Sequence, residues 1–203
     1  NDTATANADA RAMLATLEHW KQDNQQYAGA QGKPKLLVIN TSGGGLRSML
    51  WTFHCMQLAD SLLGGSLMDR TMLMTGSSGG LIGATYYRQL FQADEAQSKE
   101  VRNDPLLLDE LSSDMLNSIA FSFVTNDMFV RYRSVRDGEL SYTLDRAEAF
   151  ERRLNELTRN MLDVRMGELA AAERNAEIPL LVVNPVSIND GRRVIIASQP
   201  MAF

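Results

Sequence analysis

The sequence predicts an α/β fold, a mostly parallel sheet flanked by helices. Three observations carry that expectation. Residues 35–40 and 71–74 are short, largely apolar runs of strand length. Each opens into a glycine-rich turn and then a helical pattern, the order of a βα unit. The first run does not alternate strictly between polar and apolar residues, as expected for a strand buried on both faces of a parallel sheet.

Composition sets the outer limits. The chain has 203 residues, 44% of them hydrophobic, and a net charge of −5, which suits a globular domain with its own core. The mild acidity argues against nucleic acid as a partner, because phosphate binding calls for a basic face. A single cysteine, Cys55, excludes an intrachain disulfide. With only His19 and His54 beside it, a zinc site of soft ligands is not expected. No run approaches the roughly 18 apolar residues of a membrane span. The chain begins at Asn1 rather than a methionine, so upstream processing or excision is expected.

Taken in order, residues 1–8 are small and polar and are expected to be loose. Ala10, Met13, Leu14, Leu17 and Trp20 fall at helical spacing, so 9–21 reads as an amphipathic helix. Residues 23–33, with Gly29 and Gly32, read as a linker, which separates 1–34 from a main domain over 35–203. A helix over 46–63 follows the first strand and ends at Gly64 and Gly65. Met49, Trp51, Phe53, Met56, Leu58 and Leu62 surround it, which predicts a largely buried helix with His54 as a satisfied core residue. A helix over 81–91 follows the second strand.

Residues 94–104 read as a loop or helix end, and Asp104 can cap a helix with Pro105 in its first turn. The apolar stretch 105–130 has two readings. One is core. The other is a lid or acyl-chain surface at a lipid interface, with Arg131, Arg133 and Arg136 placed to meet anionic headgroups. Residues 145–172 read as one long surface helix striped by Phe150, Leu154, Leu157 and Met161. Two β-rich runs, 180–188 and 193–198, flank Asn189-Asp190-Gly191 and read as a hairpin.

The chemistry concentrates at the two glycine turns. In Gly76-Ser77-Ser78-Gly79-Gly80, Ser78 stands at the apex of a strand–turn–helix corner. A serine on so tight a corner needs Gly76 and Gly80 beside it, because backbone passes close on both sides, and the corner turns its Oγ outward. A plain Gly/Ser loop would share these letters; the strand before and the helix after distinguish the two. The other turn carries Gly43, Gly44 and Gly45. Free glycine amides at a strand-to-helix turn form an anion or oxyanion site, and Arg47 adds a positive charge. A rival reading takes Gly43-x-Gly45-x-x-Ser48 as a dinucleotide fingerprint, which needs an acidic residue ending a second strand about 20 residues on. Asp69 lies near that distance, but 64–69 does not read as a strand end.

Ser42-Gly43-Gly44-Gly45-Leu46-Arg47-Ser48-Met49 followed by Gly76-Ser77-Ser78-Gly79-Gly80 resembles the patatin-like phospholipases. The leading serine and the Arg-Ser-Met tail are more similar to the related cytosolic phospholipase A group. The resemblance spans about 35–91. It implies a lipid acyl hydrolase of phospholipase A or lysophospholipase type, working through a Ser-Asp dyad without histidine. It implies Ser78 as nucleophile, amides of Gly43, Gly44 and Gly45 as the oxyanion hole, and Arg47 near the phosphate or carbonyl of the lipid. The Gly79 amide, just after the nucleophile, joins that donor set. The resemblance also implies a lipid or phospholipid substrate, peripheral contact with a membrane surface, and a cytoplasmic or membrane-peripheral location. No metal or organic cofactor is needed. The chain departs from patatins proper, which have Asp at position 42 and Gly at position 48.

The chain alone points the same way: either the base is a carboxylate, or that residue lies outside this chain. No histidine follows Ser78, as a Ser-His-Asp hydrolase of the α/β type requires. The family's dyad aspartate sits in Asp-Gly-Gly or Asp-Gly-Ala. Asp137-Gly138-Glu139 and Asp190-Gly191-Arg192 do not match, and Asp190 has the hairpin turn as its explanation. The expectation is that the dyad aspartate lies past Phe203 and that no carboxylate here reaches Ser78 Oγ, with Asp190 the weak exception. A non-catalytic lipid- or phosphate-binding module and a lipid acyltransferase remain as alternatives.

Overall fold

The computed structural model describes residues 3–30, 32–93, 102–129 and 134–202. Arg131 and Arg133 lie outside them. The described residues form two compact units: those up to 104 together with those from 164 on, and 105–163.

The first unit is α/β. Helix α1 spans Thr3–Asp23 and strand β1 Leu37–Thr41. Helix α2 (Gly45–Leu62) and the short α3 (Leu67–Arg70) lead to β2 (Thr71–Gly76) and α4 (Ser78–Ala93). Strands β5 (Leu180–Val183) and β6 (Ile196–Ala197) complete a sheet of order β1-β2-β5-β6. β1, β2 and β5 run parallel, and β6 is antiparallel to β5. The register sets Thr41 beside Gly76 and Gly76 beside Val183, so the carboxyl ends of three strands share one edge.

The core forms where apolar faces meet. Trp20 of α1 is buried with Met72 and Leu180 of the sheet. Helices α2 and α4 pack together, with Phe53 stacked on Tyr86 at 5.2 Å and edge-on to Tyr87 at 5.7 Å; such pairs add roughly 0.5–1.5 kcal/mol beyond area burial. Two ion pairs are buried as well. Arg88 of α4 pairs with Glu173 and donates from Nε to the Pro179 carbonyl at 2.8 Å. Glu173 also accepts from the Leu181 amide and the Ser198 hydroxyl. Arg102 donates to Asp60 Oδ2 at 3.0 Å, while Asp60 Oδ1 accepts from the Leu67 amide. A buried charge is tolerable only with such partners.

Several elements depart from expectation for physical reasons. The 1–8 segment is helical from Thr3. β1 alternates instead of being buried on both faces: Val38 and Asn40 are exposed, and among the described residues it is an edge strand with one partner. Helix α2 is two-sided. Met49, Phe53 and Met56 face α4, while Trp51 is 69% exposed and Leu58, Leu62 and His54 also face outward, so His54 is not a core residue. The stretch 145–172 is broken. Asp145 caps a helix at Arg146–Leu157 by accepting from the Ala147 and Glu148 amides. That helix ends where Arg159 and Asn160 take left-handed φ values of 54° and 59°. A separate short helix, Ala170–Arg174, follows in the first unit.

The second unit is mainly helical. Pro105–Leu111 and Leu116–Ser122 are helices, and Phe123–Asp127 is a π-helical turn. Its apolar residues divide: Leu107, Leu111 and Met115 are buried, whereas Phe121, Met128 and Phe129 are exposed. β3 (Ser134–Asp137) and β4 (Leu140–Thr143) form an unanticipated hairpin that turns through Gly138 at φ 57°. This turn accounts for the Asp137-Gly138 pair.

Candidate functional site

The two glycine turns leave the sheet at adjacent positions. β1 ends at Thr41 and β2 at Gly76, and the Ser77 amide donates to the Thr41 carbonyl at 3.1 Å. That bond ties one corner to the other where both chains enter their helices. Ser78 opens α4 with φ 51°, a left-handed value that a non-glycine residue adopts at a cost of about 1–2 kcal/mol. Its side chain is exposed, as is Ser77. Strain of this kind persists where the surroundings over-determine it, and it clusters at active sites.

Gly43 stands directly against this serine. A Cβ built on Gly43 would lie 3.2 Å from Ser78 Cβ and 3.3 Å from Ser77 Oγ. Gly44 and Gly45 are exposed, and Gly45 adopts φ 62°, a value suited to glycine. Arg47 projects from the first turn of α2, is exposed, and has no ion-pair partner among the described residues. The first amides of a helix have no intrahelical acceptor and carry the positive end of its dipole. The structure therefore gathers Gly43, Gly44, Gly45, Arg47, Ser78 and Gly79 at the carboxyl edge of the sheet, where open α/β folds place ligands.

The motif glycines serve the meeting of the corners more than the turn itself. A Cβ on Gly76 would overlap the Thr41 hydroxyl and lie 2.6 Å from the Thr41 carbonyl oxygen. One on Gly79 would overlap the Gly45 carbonyl oxygen, and one on Gly80 that of Ser42. Gly83, one turn further along α4, meets the Met49 carbonyl in the same way. Sequence reasoning placed the need for glycine in the serine's own neighbours and missed Gly83, although the spacing 79, 80, 83 marks one face of a helix.

No family model matches the chain, and neither does any curated protein. Solved structures give a faint likeness. Human GIVD cytosolic phospholipase A2 in complex with methyl gamma-linolenyl fluorophosphonate inhibitor and terbium chloride aligns over 98% of this chain at 17% identity, with a TM-score of 0.47. The same human protein in complex with methyl gamma-linolenyl fluorophosphonate aligns over 98% at 18% identity, with a TM-score of 0.45. The chain spans 28% of the length of each.

The remaining candidates lie apart from chemistry of their own. Asp190 sits in the turn beyond the isolated bridge between Val186 and Arg193. Its carboxylate accepts from the Ser187 side chain and the Arg192 amide, which hold it below the ordinary aspartate range, and it pairs with Arg192 Nε at 3.0 Å. Among the described residues no carboxylate accepts a hydrogen bond from Ser78 Oγ. Asp69 precedes β2 at the amino end of the sheet, opposite the glycine corners, and accepts from Tyr27. Cys55 is a free thiol, and no metal-holding group of His, Cys, Asp and Glu occurs among the described residues. No helix among them is long and apolar enough to cross a membrane.

Proposed function

We propose that this chain carries the nucleophile and oxyanion corners of a serine acyl hydrolase for lipid carboxylic esters, of the patatin-like and cytosolic phospholipase A type. The observation that carries the reading is the contact of Gly43 with Ser78, the latter exposed and held in a left-handed conformation at the head of α4. In this reading Ser78 Oγ attacks the acyl carbonyl. The carbonyl oxygen becomes an oxyanion held by amides of the Gly43–Gly45 turn and of Gly79. The Ser78 proton passes to an aspartate and from it to the leaving oxygen, so that the alcohol or lysophospholipid departs. Water then attacks the acyl-enzyme and releases the fatty acid. Arg47, exposed and without an ion-pair partner among the described residues, meets a phosphate or the ester.

A non-catalytic lipid- or phosphate-binding module would use the same amides and Arg47. A fluorophosphonate lipid probe on the full-length polypeptide separates the two. Covalent labelling at Ser78, lost in Ser78→Ala, supports the hydrolase. Absence of labelling with vesicle binding retained supports the module.

A further inference from the structure

We propose that Ser48 is a positioning residue that orients the Gly43 amide toward its role as oxyanion donor. The inference rests on the acyl-hydrolase reading above. Ser48 lies on the first turn of α2 and its hydroxyl donates to the Ser42 carbonyl at 2.6 Å. A serine inside a helix ordinarily bonds the carbonyl four residues back; Ser48 instead reaches six back, out of the helix and into the glycine turn. The Ser42 carbonyl is also hemmed in from the other corner. A Cβ on Gly80 would overlap it and lie 3.0 Å from Ser48 Oγ. One carbonyl is thus held at the junction of both corners by one hydroxyl and one bare Cα.

The peptide that follows is trans and planar. Fixing the Ser42 oxygen therefore fixes the Gly43 N–H in the opposite direction, away from the junction of α2 and α4. Gly43 is exposed and lies against Ser78. Glycines at 43, 44 and 45 leave the turn free to rotate that peptide plane at little steric cost. The Ser48 hydroxyl holds that peptide plane through the Ser42 oxygen. Gly44, at the helix cap, has no side chain to do so.

The test measures fluorophosphonate labelling of the full-length polypeptide, resolved into the inactivation rate and the probe's inhibition constant, for wild type, Ser48→Ala and Ser48→Thr. Full removal of an oxyanion donor costs about a hundredfold or more; loss of its orientation in Ser48→Ala is expected to slow inactivation about tenfold with the inhibition constant unchanged. Ser48→Thr, which keeps the hydroxyl, stays near the wild-type rate. The Gly43 amide resonance shifts in Ser48→Ala and returns in Ser48→Thr. Where Ser48→Ala does not fold, Ser48→Cys, with its weak donor, takes its place with the same expectation. Labelling of Ser48→Ala at the wild-type rate, an effect confined to the inhibition constant, or an unmoved Gly43 resonance overturns the proposal and leaves the hydrolase reading intact. Wild type that is never labelled at Ser78 overturns the hydrolase reading, and this inference with it.

Discussion

Gly43 and Ser78, thirty-five positions apart in the chain, meet so closely that one added carbon on the glycine would sit 3.2 Å from the serine Cβ. That distance is tighter than an ordinary van der Waals contact, so a neighbour must give by a few tenths of an ångström. Gly43→Ala is therefore expected to fold, at a cost of about 1 kcal/mol in urea denaturation, the low end for overpacking. Its effect on chemistry is larger. The methyl displaces either the donor amide or the nucleophile, and fluorophosphonate labelling of Ser78 drops at least about tenfold.

The glycine face of α4 gives a harsher outcome. Alanine at 79 or 83 drives its methyl into a backbone carbonyl of α2, which no rotamer change relieves. Each substitution is expected to cost more than about 3 kcal/mol or to abolish folding, beyond the range of most single changes. Circular dichroism melts of Gly79→Ala and Gly83→Ala, beside Gly167→Ala as an unhindered control, check this.

Ser78→Gly should run the other way. The left-handed φ of 51° is costly for serine and free for glycine. Removal of that strain outweighs the added flexibility of the unfolded chain, and the variant is expected to gain about 0.5–1 kcal/mol in denaturant midpoint terms while losing all covalent labelling. A variant less stable than wild type would show that the conformation is relaxed and carries no stored strain.

The Arg88–Glu173 pair makes a fourth test. Arg88→Met leaves a buried carboxylate with its main partner gone and is expected to cost about 3–5 kcal/mol. Arg88→Met combined with Glu173→Met should recover most of that loss, which a double-mutant cycle in urea reads directly. Burial holds the Glu173 carboxyl above its ordinary range. The folded state therefore binds a proton there that the unfolded state has released. Stability falls as pH rises from the ordinary glutamate value through the raised one, and Glu173→Gln flattens that slope.

What the sequence made legible was local punctuation. Glycines 43–45 and the Gly76-Ser77-Ser78-Gly79-Gly80 turn marked both corners, and the apolar runs before them marked two parallel strands, because turn chemistry and strand length are written in adjacent residues. Asn189-Asp190-Gly191 marked the turn between β5 and β6 for the same reason. Burial was harder to see. Trp51, Leu58 and Leu62 read as core because they are apolar, yet they stand on the face of α2 turned away from α4. Val38 was misplaced likewise, since only the strand order reveals that β1 has one neighbour. The break after Leu157 was partly hidden: left-handed Arg159 is a residue type that does not advertise it, whereas Asn160, which takes that conformation readily, was a signal left unused. Glu173 looked like one charge among many; its partner lies 85 positions away.

Helices α2 and α4 touch through hydrogen atoms where other helix pairs interpose side chains, at Gly79 and Gly83, while Gly80 stands against the Ser42 carbonyl of the glycine turn. Nothing remains there to shorten, and any lengthening collides with main chain. Evolution therefore has no vocabulary at this seam with which to retune the spacing between the two corners. Under the proposed reading, divergence in the molecules handled falls to the rim, in side chains such as Arg47, while the seam itself stays fixed.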